Sequence, residues 1–261
     1  MDYKFLFLVG SSLEHFQEKE LSEYDTEQRF LQTLDTIQSI RTKVPNSYIC
    51  LFEGSYKPIP EKYKSILKEK SDLFLELYDD YGMKIIYENL KSNPNLLIFG
   101  KSLLETRGLL CALYHIRENE VFRDAQRIFK LTGRYLLTDE FDIKDYESKL
   151  LEKYYVAKVF EYSKNEMDNQ SYNNFYAFVY KSTGSMVTGL WSFDKLLLNE
   201  TIEVLEKSFV YMEKMIQCTT GIDIEHSLYY YIDKNKIIKT SNLGVNLIKG
   251  MKGQYGGNYN L

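Results

Sequence analysis

Short apolar runs that stop on small residues alternate with segments of helical spacing through the first half of this chain. No other feature constrains the fold as strongly. "YKFLFLVG" runs into Gly10-Ser11-Ser12, and "SYICLFEGS" ends at Glu53-Gly54-Ser55. Between them Phe30, Leu34, Ile37 and Ile40 recur at the spacing of one helix face, with Asp25 or Thr26 placed to cap and Pro45-Asn46 to close. A second helix, from Pro60 to about Lys70, leads to a third strand in "LFLELYDD". The second strand is apolar on both faces, as a parallel strand covered by helices should be. Such alternation predicts βαβ units, hence an α/β fold with a mostly parallel sheet flanked by helices.

"GKSLLETRGLLCALYHI" predicts a further helix with a capping box, Ser102 as N-cap and Glu105 three residues on. The strand "RIFKLT" then breaks at Thr132-Gly133 onto Arg134 and Tyr135. Beyond it "YYVAKVFEYS" and "NNFYAFVYKST" predict an antiparallel hairpin around a polar loop. Leu198, Ile202, Leu205, Phe209, Met212 and Ile216 mark one face of a long helix, and "GVNLIKGMKGQYGGNYNL" is a glycine-rich tail. Without a repeat or a compositional break, residues 1–261 read as one domain.

Composition excludes several functions. At a net charge of −4 the chain lacks the broad basic surface that nucleic acid requires. No apolar run approaches a membrane span, and the one from Phe5 to Val9 is too short for a signal peptide. Cys50, Cys111 and Cys218 are odd in number and widely spaced. They read as buried thiols, so the expected location is the cytoplasm (of the host, for a viral protein). The 23 tyrosines suit sugar-stacking platforms, although codon bias is the simpler cause in a chain so rich in Lys, Asn and Ile.

Ligands of open α/β sheets bind beyond the C-terminal ends of the strands. That rule selects Val9, Gly10, Ser11, Glu53, Lys101, Lys130, Thr132, Gly133 and Arg134 as candidate binding residues. Glu53 is placed to accept hydrogen bonds from ribose hydroxyls. Gly100-Lys101-Ser102 is not a P-loop, because the position five residues before Gly100 is Asn95. It leaves a lysine beside a helix start, which either holds an anion or does nothing special. Asp79-Asp80, followed by Gly82, reads as a turn rather than a metal pair. His115 lies on an apolar helix face and reads as a core or boundary residue. Asp223, Glu225 and His226 in "GIDIEHSLYYYI" are either an acidic helix cap or a base or metal-ligand cluster. If the stretch is extended, Ile222 and Ile224 anchor it while Glu225 points out of the packed layer.

Taken in order, "RFLQTLDTIQSIRTKVPNSYICLFEGS", "GKSLLET", "RIFKLTGRYLLTDEFD", "IEHSLYYYI" and "NLGV" resemble a group of GT-A-type glycosyltransferases. These are found in bacterial surface-polysaccharide clusters and in large viruses, and are related to the WavE lipopolysaccharide-synthesis proteins. The resemblance implies a nucleotide-sugar donor, a glycan acceptor, a Rossmann-like donor half over about residues 1–135, and an acceptor-facing half over about 136–261. Enzymes of this type place a D-x-D motif at the end of the strand equivalent to Ile128–Leu131, to hold Mn or Mg on the donor diphosphate. Here Thr132-Gly133-Arg134 stands in that place. Two arrangements remain open. Arg134, Lys130 and Lys101, with Lys249 or Lys252 from the tail acting as a lid, neutralise the leaving diphosphate without a metal, or Asp139 and Asp142 hold the cation from downstream. For an inverting reaction Glu225 is the candidate base and His226 its neighbour. The rival reading is a GT-A-like module that binds a glycan or nucleotide without turnover.

Overall fold

The computed structural model describes residues 4–14, 24–93, 97–162, 183–217, 222–241 and 245–247. The first strand β1 (Phe5–Ser11) is followed by helix α1 (Thr26–Lys43), strand β2 (Tyr48–Glu53), helix α2 (Glu61–Lys70) and strand β3 (Leu73–Glu76). Helices α3 (Tyr81–Ser92) and α4 (Leu97–Glu118) then lead to strands β4 (Arg127–Thr132) and β5 (Tyr135–Leu137). Strands β6 (Tyr155–Glu161) and β7 (Gly184–Asp194) precede helices α5 (Leu198–Gln217) and α6 (Ile224–Tyr231), and strands β8 (Ile237–Lys239) and β9 (Val245–Leu247) complete the order.

Seven strands form one sheet in the order β3-β2-β1-β4-β7-β6-β8, while β5 and β9 pair separately. Every neighbouring pair in the large sheet is parallel except those made by β7, which runs against both β4 and β6. The predicted α/β architecture is therefore observed. Strand alternation divides the core into two layers. Leu6, Leu8, Cys50, Phe52 and Ile128 pack toward α3, α4, α5 and α6, whereas Phe7, Val9, Ile49, Leu51, Phe129 and Leu131 pack toward α1 and α2.

Asp25 caps α1 in a full capping box with Gln28, and the predicted face of that helix is buried at Phe30, Ile37 and Ile40. Four local expectations need correction. β3 ends at Glu76, and the rest of "LFLELYDD" turns into α3, whose N-cap is Asp80. Asp80 also holds Arg107 through two hydrogen bonds (2.8 and 2.7 Å), so the Asp79-Asp80 pair does more than make a turn. Ser102 is not a cap: α4 starts at Leu97, and Ser102 lies inside it, offering its carbonyl to the Thr106 hydroxyl (2.7 Å). The apolar residues before Ser102 continue the helix, which leaves its hydroxyl no unpaired first-turn amides to cap. The antiparallel partner of β6 is β7, with an irregularity between Ala157 and Val159. Residues 173–182 of the expected hairpin lie outside the described residues.

Candidate active site

β1 and β4 end side by side, with Gly10 in register with Thr132. The Gly133 amide donates to the Gly10 carbonyl at 2.8 Å. Neither glycine has room for a side chain. A Cβ on Gly133 would lie 2.9 Å from that carbonyl oxygen, and one on Gly10 would lie 2.7 Å from the Phe52 ring. This close approach floors a cavity at the C-terminal edge of the sheet. Arg29 and Thr33 of α1 close one side, and Lys101, Leu104 and Glu105 of α4 the other. Phe52, Met83 and Tyr87 make an apolar flank, and Arg134 enters from the turn after β4.

Seven of the nine candidate binding residues line this cavity: Gly10, Ser11, Lys101, Lys130, Thr132, Gly133 and Arg134. Val9 and Glu53 do not line it. Val9 is wholly buried in the layer against α1. Glu53 is fully buried and committed to the protein itself: one carboxylate oxygen accepts from the Ser11 hydroxyl, and the other from Leu13 N (3.0 Å), Ser55 N (3.1 Å) and the Ser55 hydroxyl. Burial pushes its pKa up, against those hydrogen bonds. Glu53 thus organises the chain leaving β1 and has no oxygen turned to a ribose.

The electrostatics of the cavity are one-sided. Arg29, only 8% exposed, is lowered to about 9, first by burial and next by Arg134. Lys101 is lowered to about 8 by burial, then by Arg134 and Arg29. Three cations from three elements therefore repel one another around one space. Lys130 sits apart from this group. Its ammonium is buried and pairs with Glu105, and it donates to the Thr132 hydroxyl (2.8 Å) and the Thr188 carbonyl (2.7 Å). Sequence reasoning missed Arg29. The available signal was an arginine on the buried face of α1, next to Phe30 and one turn before Thr33.

Thr188 of β7 connects this cavity to Glu225. The Glu225 Oε1 lies 3.3 Å from the Thr188 hydroxyl and 3.5 Å from its amide. Glu225 is raised to about 7 by burial and then by Asp223, with the Thr188 amide and His226 acting in the opposite sense. It does not itself line the cavity. Ile222 and Ile224 anchor the segment as expected, but the stretch is not extended: Asp223 is the N-cap of α6, accepting from the His226 amide at 2.9 Å. His226 is held at both ring nitrogens, Nδ1 by Asp223 (2.6 Å) and Nε2 by the Tyr162 hydroxyl (2.9 Å). The cluster is a helix cap and a raised carboxyl at once.

A divalent cation finds poor partners here. Among the described residues no group of three or more His, Cys, Asp or Glu side chains could hold a metal ion. The carboxylate lining the cavity is that of Glu105, which is paired with Lys130. Asp139 is exposed and pairs with Lys43, while Asp142 caps a short turn at the Lys144 amide (3.0 Å), and neither lines the cavity. These donors do not fit Mn or Mg. β9 ends opposite Tyr135, the residue after Arg134, whereas Lys249 and Lys252 lie outside the described residues.

No protein-family model matches the chain, and no curated protein sequence does. Among solved structures, a galactosyltransferase LgtC in complex with donor and acceptor sugar analogues aligns over 90% of this chain and 72% of its own, at 9% identity and a TM-score of 0.49. An active-site mutant of LgtC gives 8% identity, the same coverages and a TM-score of 0.48. Core-mannan synthase A from Aspergillus fumigatus, in its Mn/GDP form, aligns over 91% of this chain and 72% of its own, at 10% identity and a TM-score of 0.45. Likeness of this degree concerns the arrangement of strands and helices and says nothing of chemistry.

Proposed function

We propose that the protein transfers a sugar from a nucleotide-sugar donor to a glycan acceptor. The observation that carries this reading is a cation-lined cavity at the strand ends, joined through Thr188 to a carboxyl raised to about 7. When the bond between the anomeric carbon and the diphosphate oxygen breaks, negative charge collects on the departing nucleoside diphosphate. Arg29, Lys101 and Arg134 are placed to receive it. The acceptor hydroxyl forms the new bond to the anomeric carbon and must lose its proton. In an inverting reaction that proton goes to Glu225, which has the basicity for the task near neutral pH. The apolar flank of Phe52, Met83 and Leu104 is suited to the base or ribose of the donor. The sequence resemblance adds that the glycan belongs to a surface polysaccharide or a viral coat, made in the cytoplasm.

Incubation with a panel of nucleotide sugars tests this reading. Slow release of nucleoside diphosphate from one donor is the expected result, and a panel without hydrolysis or transfer contradicts it. One observation favours the rival binding module: Glu225 stands outside the cavity lining, behind Thr188. Tight nucleotide binding with no turnover in the presence of glycan acceptors would decide for that module.

A further inference from the structure

We infer that a diphosphate is held in this cavity by protein cations alone, Arg29 from α1, Lys101 from α4 and Arg134 from the turn after β4, with no divalent ion in the bound complex. The proposed function supplies the diphosphate as part of a donor. The cage itself is a statement about any diphosphate.

The donor set argues for it first. A divalent ion on a diphosphate needs hard oxygen ligands from the protein, and the carboxylate in the lining is already joined to Lys130. Where GT-A enzymes carry a pair of aspartates, this chain turns through Thr132-Gly133-Arg134. A metal ion seated there would face three like charges.

Construction argues for it second. Arg29 is over nine-tenths buried, so its charge is aimed into the molecule rather than at solvent. Arg134 is brought in by Gly133, whose contact with Gly10 tolerates no Cβ. Arg29 and Lys101 approach from opposite faces of the sheet, so the cations surround the space instead of lining one wall. Both are lowered by their neighbours, as expected of a site short of negative charge. The nearest acids act elsewhere. Glu105, one turn along α4 from Lys101, holds Lys130, and Glu53, whose charge favours Arg29, is hydrogen-bonded behind the wall and has its own pKa raised by burial. Tyr87 faces the cavity from α3 with its hydroxyl given to the Gly54 carbonyl. Three fixed positive charges match a diphosphate, which Arg forks bind through paired oxygens.

The test is calorimetric titration of the full chain with inorganic pyrophosphate, and separately with nucleoside diphosphates, in EDTA and then in Mn. Affinity in EDTA within about twofold of that in Mn is expected, with Lys101→Met and Arg134→Gln each weakening pyrophosphate about tenfold. A second readout separates a charge role from a merely structural one. At pH 8 binding should take up as much as about half a proton, read from buffers of different ionisation heat, because the anion returns the charge to Lys101. Lys101→Arg should keep the affinity and lose the uptake. Pyrophosphate binding that requires Mn overturns the inference, as does the absence of binding by pyrophosphate and every nucleoside diphosphate. Metal-free binding that both variants leave unchanged also overturns it. If metal-free binding behaves as stated while no nucleotide sugar is turned over, the cage stands and the transferase reading falls.

Discussion

Gly133 shows how one residue fixes the position of a charge. Its amide holds the Gly10 carbonyl at 2.8 Å, and a methyl group would press on that same oxygen. Gly133→Ala should therefore part the two strand ends and displace Arg134, lowering pyrophosphate affinity about tenfold with little loss of fold. Unchanged affinity in a titration would show that Arg134 does not depend on this contact. Glu53 acts in the opposite way, on stability. Glu53→Ala leaves the donors of Ser11, Leu13 and Ser55 without their acceptor, at a cost of about 3 kcal/mol in denaturant unfolding. A variant as stable as the wild type would refute that role. The strand-end rule made Arg134 and Gly10 legible in the sequence. It also pointed to Glu53, wrongly as a ribose ligand, because its partners Ser11 and Leu13 lie 42 and 40 residues away and only the folded register joins them. Arg29 was illegible because an arginine beside a buried helix face announces no partner.

At the scale of elements, β7 was the hardest to read. It is buried along all eleven residues, so it lacks the alternation that marks a half-exposed strand, and Gly184 and Gly189 interrupt its apolar run. Yet β7 carries Thr188, which gives its carbonyl to Lys130 and its hydroxyl to Glu225. The start of α4 was misread for a related reason: a Ser-x-x-Glu spacing marks a cap only when no helix precedes it, and here Glu105 turns to Lys130 instead. A prediction belongs to this strand. Hydrogen bonds to a carboxylate lower its pKa, so Thr188→Val, nearly the same shape without the hydroxyl, should raise Glu225 above its value of about 7. The acid limb of the transfer rate against pH should move to higher pH, because the base must be deprotonated to act. A limb that stays in place in the valine variant would separate Glu225 from the rate. The same carboxyl links to folding. With its folded pKa raised from 4.5 to about 7, the native state binds the extra proton, so its contribution to stability is full below pH 4.5 and is lost as pH rises through 7. Glu225→Gln should flatten that part of the stability curve.

The whole molecule gives the cation cage its energetic character. One sheet runs from β3 to β8, with α1 packed on one face and α4 on the other, so Arg29 and Lys101 converge only because both helices reach the same strand ends. Such convergence follows from the βαβ order, which the sequence displays, but its outcome in repulsion depends on three side chains more than thirty residues apart meeting. Without an anion the arrangement is strained. Lys101 is lowered in the folded protein from 10.5 to about 8, so between those values the unfolded chain binds more protons. Stability gained by discharging Lys101 is thus absent below pH 8 and appears as pH rises toward 10.5. Removing the charge should do the same at neutral pH. Lys101→Met is expected to be more stable than the wild type by roughly 1 kcal/mol without ligand, a figure reduced for partial exposure to solvent. With pyrophosphate the order should reverse. The wild type gains about 2.7 kcal/mol at a hundredfold excess over its dissociation constant, while the weakened variant at the same concentration gains about 1.4 kcal/mol. Denaturant melts of both proteins with and without pyrophosphate at pH 7 make the comparison. A variant less stable than the wild type without ligand would show that Lys101 packs the cavity rather than charging it.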